Sequence, residues 1–333
     1  MSVAPLLAAL MVVGGLGVLP LVGSAYALSL GYSVVTFTAL AYSWNLVSGY
    51  TGYVSLGHVA FFGVGGYTTA LLVTRVHWHW LLAAVAGGVV AALIAVPAGA
   101  AMLRLRGPYF AIGMLGLARV LERLALGWDS LTHGGRGLYL PPIIDTRGVY
   151  LAAFAVLVLL IAGTFWLENS SFGLRLLAIR EDETGAESLG IPTARLKLTA
   201  FVLSALPTGI LGGIWAWHLS YLDPGTAFGI NIELTAIVGA ILGGAGTVWG
   251  PLVGGLGISL VGEALWARFP RVHLGLFGVI LVVTMLGLPR GLATALVRLR
   301  ALPPARFLLR RAVRQEWRAQ GLPLGRVATA PVD

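Results

Sequence analysis

The sequence predicts an all-α, polytopic integral membrane protein. It expects about ten transmembrane helices, some broken at glycine-rich segments, with both termini cytoplasmic. Three observations predict it. Hydrophobic residues make up 58% of the 333 positions, against about 45–50% in soluble domains. Charged residues are 11%, against about 25%. No Asp, Glu, Lys or Arg precedes Arg75. A soluble domain cannot keep such a stretch off its surface, which disfavours disorder, a nucleic-acid module and an ordinary globular enzyme.

A helix needs about 20 residues to cross about 30 Å of hydrocarbon. The charge-poor runs place spans near 5–23, 27–47, 58–74, 81–102, 108–126, 148–167, 198–220 and 273–289. The N-terminal run carries a cleavage-like Ala25-Tyr26-Ala27 but no positive n-region, so it reads as a retained first span rather than a signal peptide. The run 234–262 is one long helix or two short ones. Five Gly or Pro residues between Gly243 and Pro251 favour a break.

Topology offers an independent test. With that break, one side carries Arg104, Arg106, Arg175, Arg180, Arg195, Lys197 and the nine arginines from Arg290 onward, fifteen basic residues in all. The other carries five: Arg75, Arg136, Arg147, Arg268 and Arg271. The richer side is the cytoplasmic one by the positive-inside rule. The chain divides into a membrane domain, 1–292, with an internal cytoplasmic segment, 168–197, and a basic tail, 293–333. The tail's excess of arginine suits anionic lipid better than nucleic acid. Trp78, Trp80, Trp128, Tyr139, Trp166, Trp217, Tyr221, Trp266 and Phe269 fall near span ends, as interfacial aromatics do.

Three segments break the pattern. Ten of the fourteen residues from Asn45 to His58 are glycine or carry a polar group. Such interruptions aim backbone groups at a substrate in transporters; the alternative is a short turn followed by close helix packing. The second is 243–251, and its Gly243/Gly246 spacing matches Gly49/Gly52. The third is Arg119, Glu122 and Arg123, where the i,i+3 spacing lets Glu122 reach Arg119. These charges either snorkel at an interface or line a pathway.

A mostly apolar passage with exposed backbone dipoles suits a zwitterion with an aliphatic side chain. The candidate walls are Asn45, Gly49, Gly52, Tyr53, Ser55 and His58 with Tyr109 opposite, then Glu233, Gly243, Gly244 and Gly246. In 168–197, acids cluster ahead of Gly190 and Pro192. Ile179, Ala186 and Leu189 form a modest apolar stripe on a short helix, which either docks a soluble partner or is a solvated connector. The six histidines show no metal-site spacing, there are no cysteines, and no nucleophile elbow is present. A P-loop is absent too, since the one lysine, Lys197, follows Leu196 rather than glycine. Any ATP must therefore be held by another chain.

Several motifs, in order, carry a resemblance. They are Asn45-Leu46, Gly49-Tyr50-Thr51-Gly52, Ser55-Leu56-Gly57-His58, Phe61 to Tyr67, Gly107-Pro108-Tyr109-Phe110-Ala111-Ile112, Ser171-Phe172-Gly173-Leu174-Arg175, Ala178 to Glu183 with Leu189-Gly190-Ile191, Gly243 to Thr247 with Gly250-Pro251, and Pro289-Arg290-Gly291-Leu292. From Asn45 to Leu292 the chain resembles the membrane permease of bacterial ATP-binding-cassette importers for branched-chain amino acids, in particular the larger of their two homologous permeases.

The resemblance implies that 178–191 is the coupling helix seated on a cytoplasmic ATPase. Ile179, Arg180, Glu181, Asp182, Glu183, Ala186, Leu189 and Gly190 then carry that contact. It implies a heterodimer with a sister permease, two ATPase subunits that bind ATP and Mg, and a periplasmic binding protein. The chain itself would hold no cofactor or metal, would not be an enzyme, and would sit in the bacterial inner membrane. Alternating access would be driven by ATP. Tyr53, Met114, Arg119 and Gly185 depart from the family pattern, as does the loop Thr132 to Leu138. Related permeases carry urea, short amides or other amino acids. From another class, an ATP-independent channel or secondary transporter is the alternative, though few paired intramembrane ionisable groups are available as an ion relay.

Overall fold

The computed structural model describes residues 3–142 and 145–269, together with positions 272, 275, 278 and 279. The expected last span, 273–289, apart from those single positions, and the tail, 293–333, lie outside the described residues.

The described chain is helical nearly throughout, because a chain so short of polar side chains satisfies its backbone locally. The long helices are α1 (Val3–Val22), α2 (Ala25–Trp44), α3 (Val59–Val76), α4 (Trp80–Met102) and α5 (Pro108–Gly127). After a short α6 (Asp129–Thr132) come α7 (Thr146–Glu168), α8 (Ser171–Glu181), α9 (Glu183–Ser188) and α10 (Thr193–Leu219). The short α11 (Pro224–Ala227) leads into α12 (Ile230–Gly243) and α13 (Gly250–Arg268). Two short strands, β1 (Leu138–Tyr139) and β2 (Tyr221–Leu222), pair antiparallel, Leu138 with Leu222 and Tyr139 with Tyr221.

Among the described residues, six stretches are long and apolar enough to cross a membrane: Ala25–Gly49, Val59–Val76, Trp80–Met102, Thr146–Glu168, Thr193–Leu219 and Pro224–Gly243. Met11–Leu21 and Gly250–Leu265 are shorter apolar helices. The helix α5 contains Arg119, Glu122 and Arg123. Its buried stripe is Phe110, Met114, Ala118 and Ala125, while Arg119 and Arg123 lie on its exposed flank. Arg119 pairs with Glu122 at 2.5 Å. The 234–262 run does break: α12 ends at Gly243, Gly244 turns the chain at φ 119°, and α13 starts at Gly250.

Helix α10 is the axis. It packs most extensively against α4 and α3, and also meets α2 and α7, while α12 and α13 form a hairpin against α2. Close approach of backbones makes this possible. A β-carbon on Gly65 would collide with the backbone of Gly209, and one on Gly212 with the carbonyl of Phe62. Without a hydrophobic force between helices in lipid, such small-residue contacts supply the packing. Thr69 adds a polar tie, donating to Gly65 O at 2.8 Å and to Ala83 O at 3.3 Å. Helix α10 thus links two ends of the molecule: α8 and α9 lie at its start and the β1–β2 ribbon at its finish.

This packing is open to test. Gly212→Val forces the α10–α3 contact apart and is expected to cost about 1–3 kcal/mol, read as a lower thermal midpoint of the purified membrane protein. Gly163→Ala, on a face of α7 with nothing within 4 Å, is expected to leave the midpoint unchanged or raise it.

Candidate functional site

The site is built where the two interrupted stretches meet. At the end of α2, Asn45–Gly49 winds as a π-turn, and Tyr50 and Thr51 stay helical. A single widened turn of this kind is commonly found at functional sites. The span expected to end near 47 therefore runs on as helix to Thr51. Polar and glycine residues widen the turn without ending it, and the chain leaves the helix only at Gly52, whose φ is +77°.

The following loop is held by its own side chains. Ser55 N donates to Ser48 Oγ at 3.1 Å, and Trp44 Nε1 donates to Ser55 O at 2.8 Å. At Gly57 a β-carbon would run into the backbone of Met114 on α5.

The second interruption, between α12 and α13, is stitched onto this first one. Gly246 N donates to Asn45 Oδ1 at 2.7 Å, and Asn45 Nδ2 donates to Thr247 O at 3.2 Å. Tyr42 Oη donates to Val248 O at 2.6 Å. Gly246 has φ +81°, and a β-carbon there would strike the Arg180 guanidinium and crowd Gly49 O. Asn45, fully buried, thus serves both interruptions with one amide.

Arg180 closes the arrangement from α8. Its guanidinium donates to Gly49 O at 2.7 Å and to Ala245 O at 3.3 Å. Its aliphatic stem lies over Gly52, where an added β-carbon would sit 3.1 Å from Arg180 Cγ. One side chain of the 168–197 segment therefore bridges the carbonyls of both broken helices.

A second bridge lies beside it. Glu183, in the first turn of α9, accepts from Lys197 Nζ on α10 and from Tyr53 Oη, each at 2.5 Å. Lys197 Nζ also donates to Tyr53 Oη at 3.0 Å and lies 4.4 Å from the centre of its ring. Burial alone would raise the Glu183 carboxyl, but the hydrogen bonds from Lys197 and Tyr53 outweigh it and hold the carboxyl below its ordinary range. Burial and the bond to Glu183 raise the Tyr53 hydroxyl, which therefore stays a donor.

The expected single helix over 178–191 is also corrected. Asp182 is extended, with φ −155° and ψ 104°, and separates α8 from α9 while accepting from Thr184 N at 3.0 Å. A capping carboxylate competes with continued helix and starts a new one. A β-carbon on Gly185 would lie 2.6 Å from Asp182 Oδ2, the end of a side chain that can give way. Of the expected apolar stripe, Ile179 and Ala186 are buried with Tyr50, Leu167 and Leu176, but Leu189 is 83% exposed. Glu181 and Gly190 are exposed as well.

Of the expected pathway residues, Asn45, Gly49 and Gly246 share one hydrogen-bond network, with Gly244 capping α12. At Gly243 a β-carbon would collide with the backbone of Gly250. Glu233 Oε2 accepts from Val59 N, next to His58. Tyr109 does not join them: it is 73% exposed. Its neighbour Phe110 turns inward instead, edge-on to Tyr53 at 5.3 Å. Helical register decides this, since Phe110, Met114 and Ala118 share one face of α5. The 110/114/118 apolar spacing was the signal available. Among the described residues no group of three His, Cys, Asp or Glu is arranged to hold a metal.

A helical membrane protein in which a side segment clasps two broken helices has the build of a transport permease. Comparison with known proteins identifies which kind. The family model for the branched-chain amino acid transport system permease component matches residues 26–285, and the chain belongs to that family. It is 28% identical over 292 residues to the high-affinity branched-chain amino acid transport system permease protein LivM of Escherichia coli, covering 77% of this chain and 67% of that protein. The Salmonella typhimurium LivM is 27% identical, covering 82% and 71%. LivH of Escherichia coli is 26% identical, covering 70% of this chain and 82% of LivH. No solved structure gives a significant match.

The Glu183 bridge has a signed pH dependence. Its depressed carboxyl contributes stability fully above the ordinary value of 4.5, and that contribution is lost as pH falls through the depressed value. Glu183→Gln is expected to lower the thermal midpoint at pH 7, with the gap to the wild type closing as the pH is taken well below 4.5.

Proposed function

We propose that this chain is the membrane-spanning permease of an ATP-driven importer for branched-chain amino acids, working by alternating access in the bacterial inner membrane. The family match and the LivM relatives support the substrate class. The mechanism rests on one observation: the segment 180–183 is hydrogen-bonded to both helix interruptions at once.

In this reading Glu181, Leu189 and Gly190 face a cytoplasmic ATPase, which holds ATP and Mg. Arg180 and Glu183 face inward and pass the motion on. When the ATPase dimer closes, α8 and α9 shift, the Arg180 clasp moves, and the two interruptions separate or seat again. The passage lies along Asn45, Gly49, Gly52, Tyr53, Ser55 and His58 on one wall. Glu233, Gly243, Gly244 and Gly246 form the other. A sister permease like LivH completes the membrane part, and a periplasmic binding protein delivers substrate. Ten spans with both termini inside place the 168–197 segment and the arginine-rich tail on the ATPase side.

Two variants separate docking from transmission. Arg180→Ala is expected to keep the ATPase bound while cutting leucine uptake into proteoliposomes at least tenfold. Leu189→Arg is expected to lose the ATPase itself on purification. Leucine flux in liposomes containing this chain alone would overturn the ATP-driven reading.

A further inference from the structure

A small, partly open cavity lies between the start of α3 and α12, and two buried ionisable side chains line it. Glu233 is 3% exposed and His58 4%. Glu233 Oε2 accepts from Val59 N, but Oε1 has no partner among the described residues, and neither has either nitrogen of His58. Both side chains line one cavity, together with Thr208 and the apolar Leu40, Phe62 and Ile232. Thr208 Oγ1 donates to Ser204 O at 2.8 Å, so its lone pairs remain free. The water-accessible space is about 10 Å³, on the threshold for one water-sized group.

The donor inventory narrows what belongs there. Glu233 Oε1, the Thr208 hydroxyl oxygen and the acceptor nitrogen of a neutral His58 are three free acceptors, set beside a single imidazole N–H. A carboxyl buried with one oxygen unpaired lacks a partner that a hydrogen-bond donor or a countercharge would supply. Calcium or magnesium asks for six or more oxygens, and zinc for three or four protein ligands. A primary ammonium has three N–H donors and is about as large as a water molecule.

We infer that Glu233, His58 and Thr208 form the recognition site for the α-ammonium group of the amino acid in transit. This inference rests on the amino-acid import proposed above and names the part of the substrate that this chain reads. The aliphatic remainder lies along Leu40, Phe62 and Ile232. It has no room while α12 is pressed on the start of α3, so the site fills when these two part. His58 ends the first interrupted loop and α12 leads into the second, so opening the clasp and opening the site are one movement. The ammonium supplies the missing donors and a countercharge to Glu233.

The test uses the assembled importer in nanodiscs without its binding protein, read by thermal shift. The probes are L-leucine, 3-methylbutylamine (which keeps the amine and lacks the carboxylate) and 4-methylpentanoate (which keeps the carboxylate and lacks the amine). L-Leucine and the amine are expected to stabilise the wild type, and the acid is not. Glu233→Gln is expected to weaken the amine's apparent affinity at least tenfold, and His58→Gln or Thr208→Val about threefold. Equal stabilisation by the acid would overturn the site, as would wild-type amine affinity in Glu233→Gln. If Glu233→Gln does not assemble, unchanged amine affinity in both His58→Gln and Thr208→Val overturns it. Leucine uptake by the wild type with no response to the amine faults the site alone. Amine binding that depends on Glu233 in an importer that moves no branched-chain amino acid faults the substrate assignment alone.

Discussion

Buried backbone that departs from the regular α-helix must find its hydrogen bonds within the protein, and here the widened turn at Asn45–Gly49 and the break between α12 and α13 are bonded to each other. Asn45 gives its amide oxygen to Gly246 N and its amide nitrogen to Thr247 O. Arg180 then spans the carbonyls of Gly49 and Ala245. Each stretch also has hydrogen bonds of its own, but separating the two breaks the Asn45 and Arg180 bonds together. The remaining architecture serves that contact: α10 fixes the frame, α12 and α13 carry one interruption, and α2 carries the other.

The same dependence explains why the 168–197 segment is more than a connector. Its charges do not all point outward. Arg180 and Glu183 reach inward, and Glu183 gathers Lys197 and Tyr53 from two other elements. The Tyr53 phenol completes this bridge, its hydroxyl donating to Glu183 while its ring lies against Lys197.

Much of this was legible beforehand, for identifiable reasons. Charge-free runs located the long helices because burying a charge in lipid is costly. Five Gly or Pro residues in nine located the α12–α13 break. The i,i+3 spacing gave the Arg119–Glu122 pair. What escaped were choices between states of similar local cost. A π-turn at Asn45–Gly49 and a true break have the same composition. Tyr109 and Phe110 are adjacent and both aromatic, and only the register of α5 turns Phe110 inward. The inward direction of Arg180 depends on carbonyls 131 and 65 residues away in sequence, which no local pattern records.

The lone lysine carries a consequence of its own. Lys197 is the sole ε-amine in 333 residues, and its side chain is 4% exposed. Acylating reagents that spare arginine therefore have one buried target besides the chain's α-amino group. Its rate of acylation becomes a built-in stopwatch for how often α9 lifts away from α10, readable by mass spectrometry without introducing any foreign label.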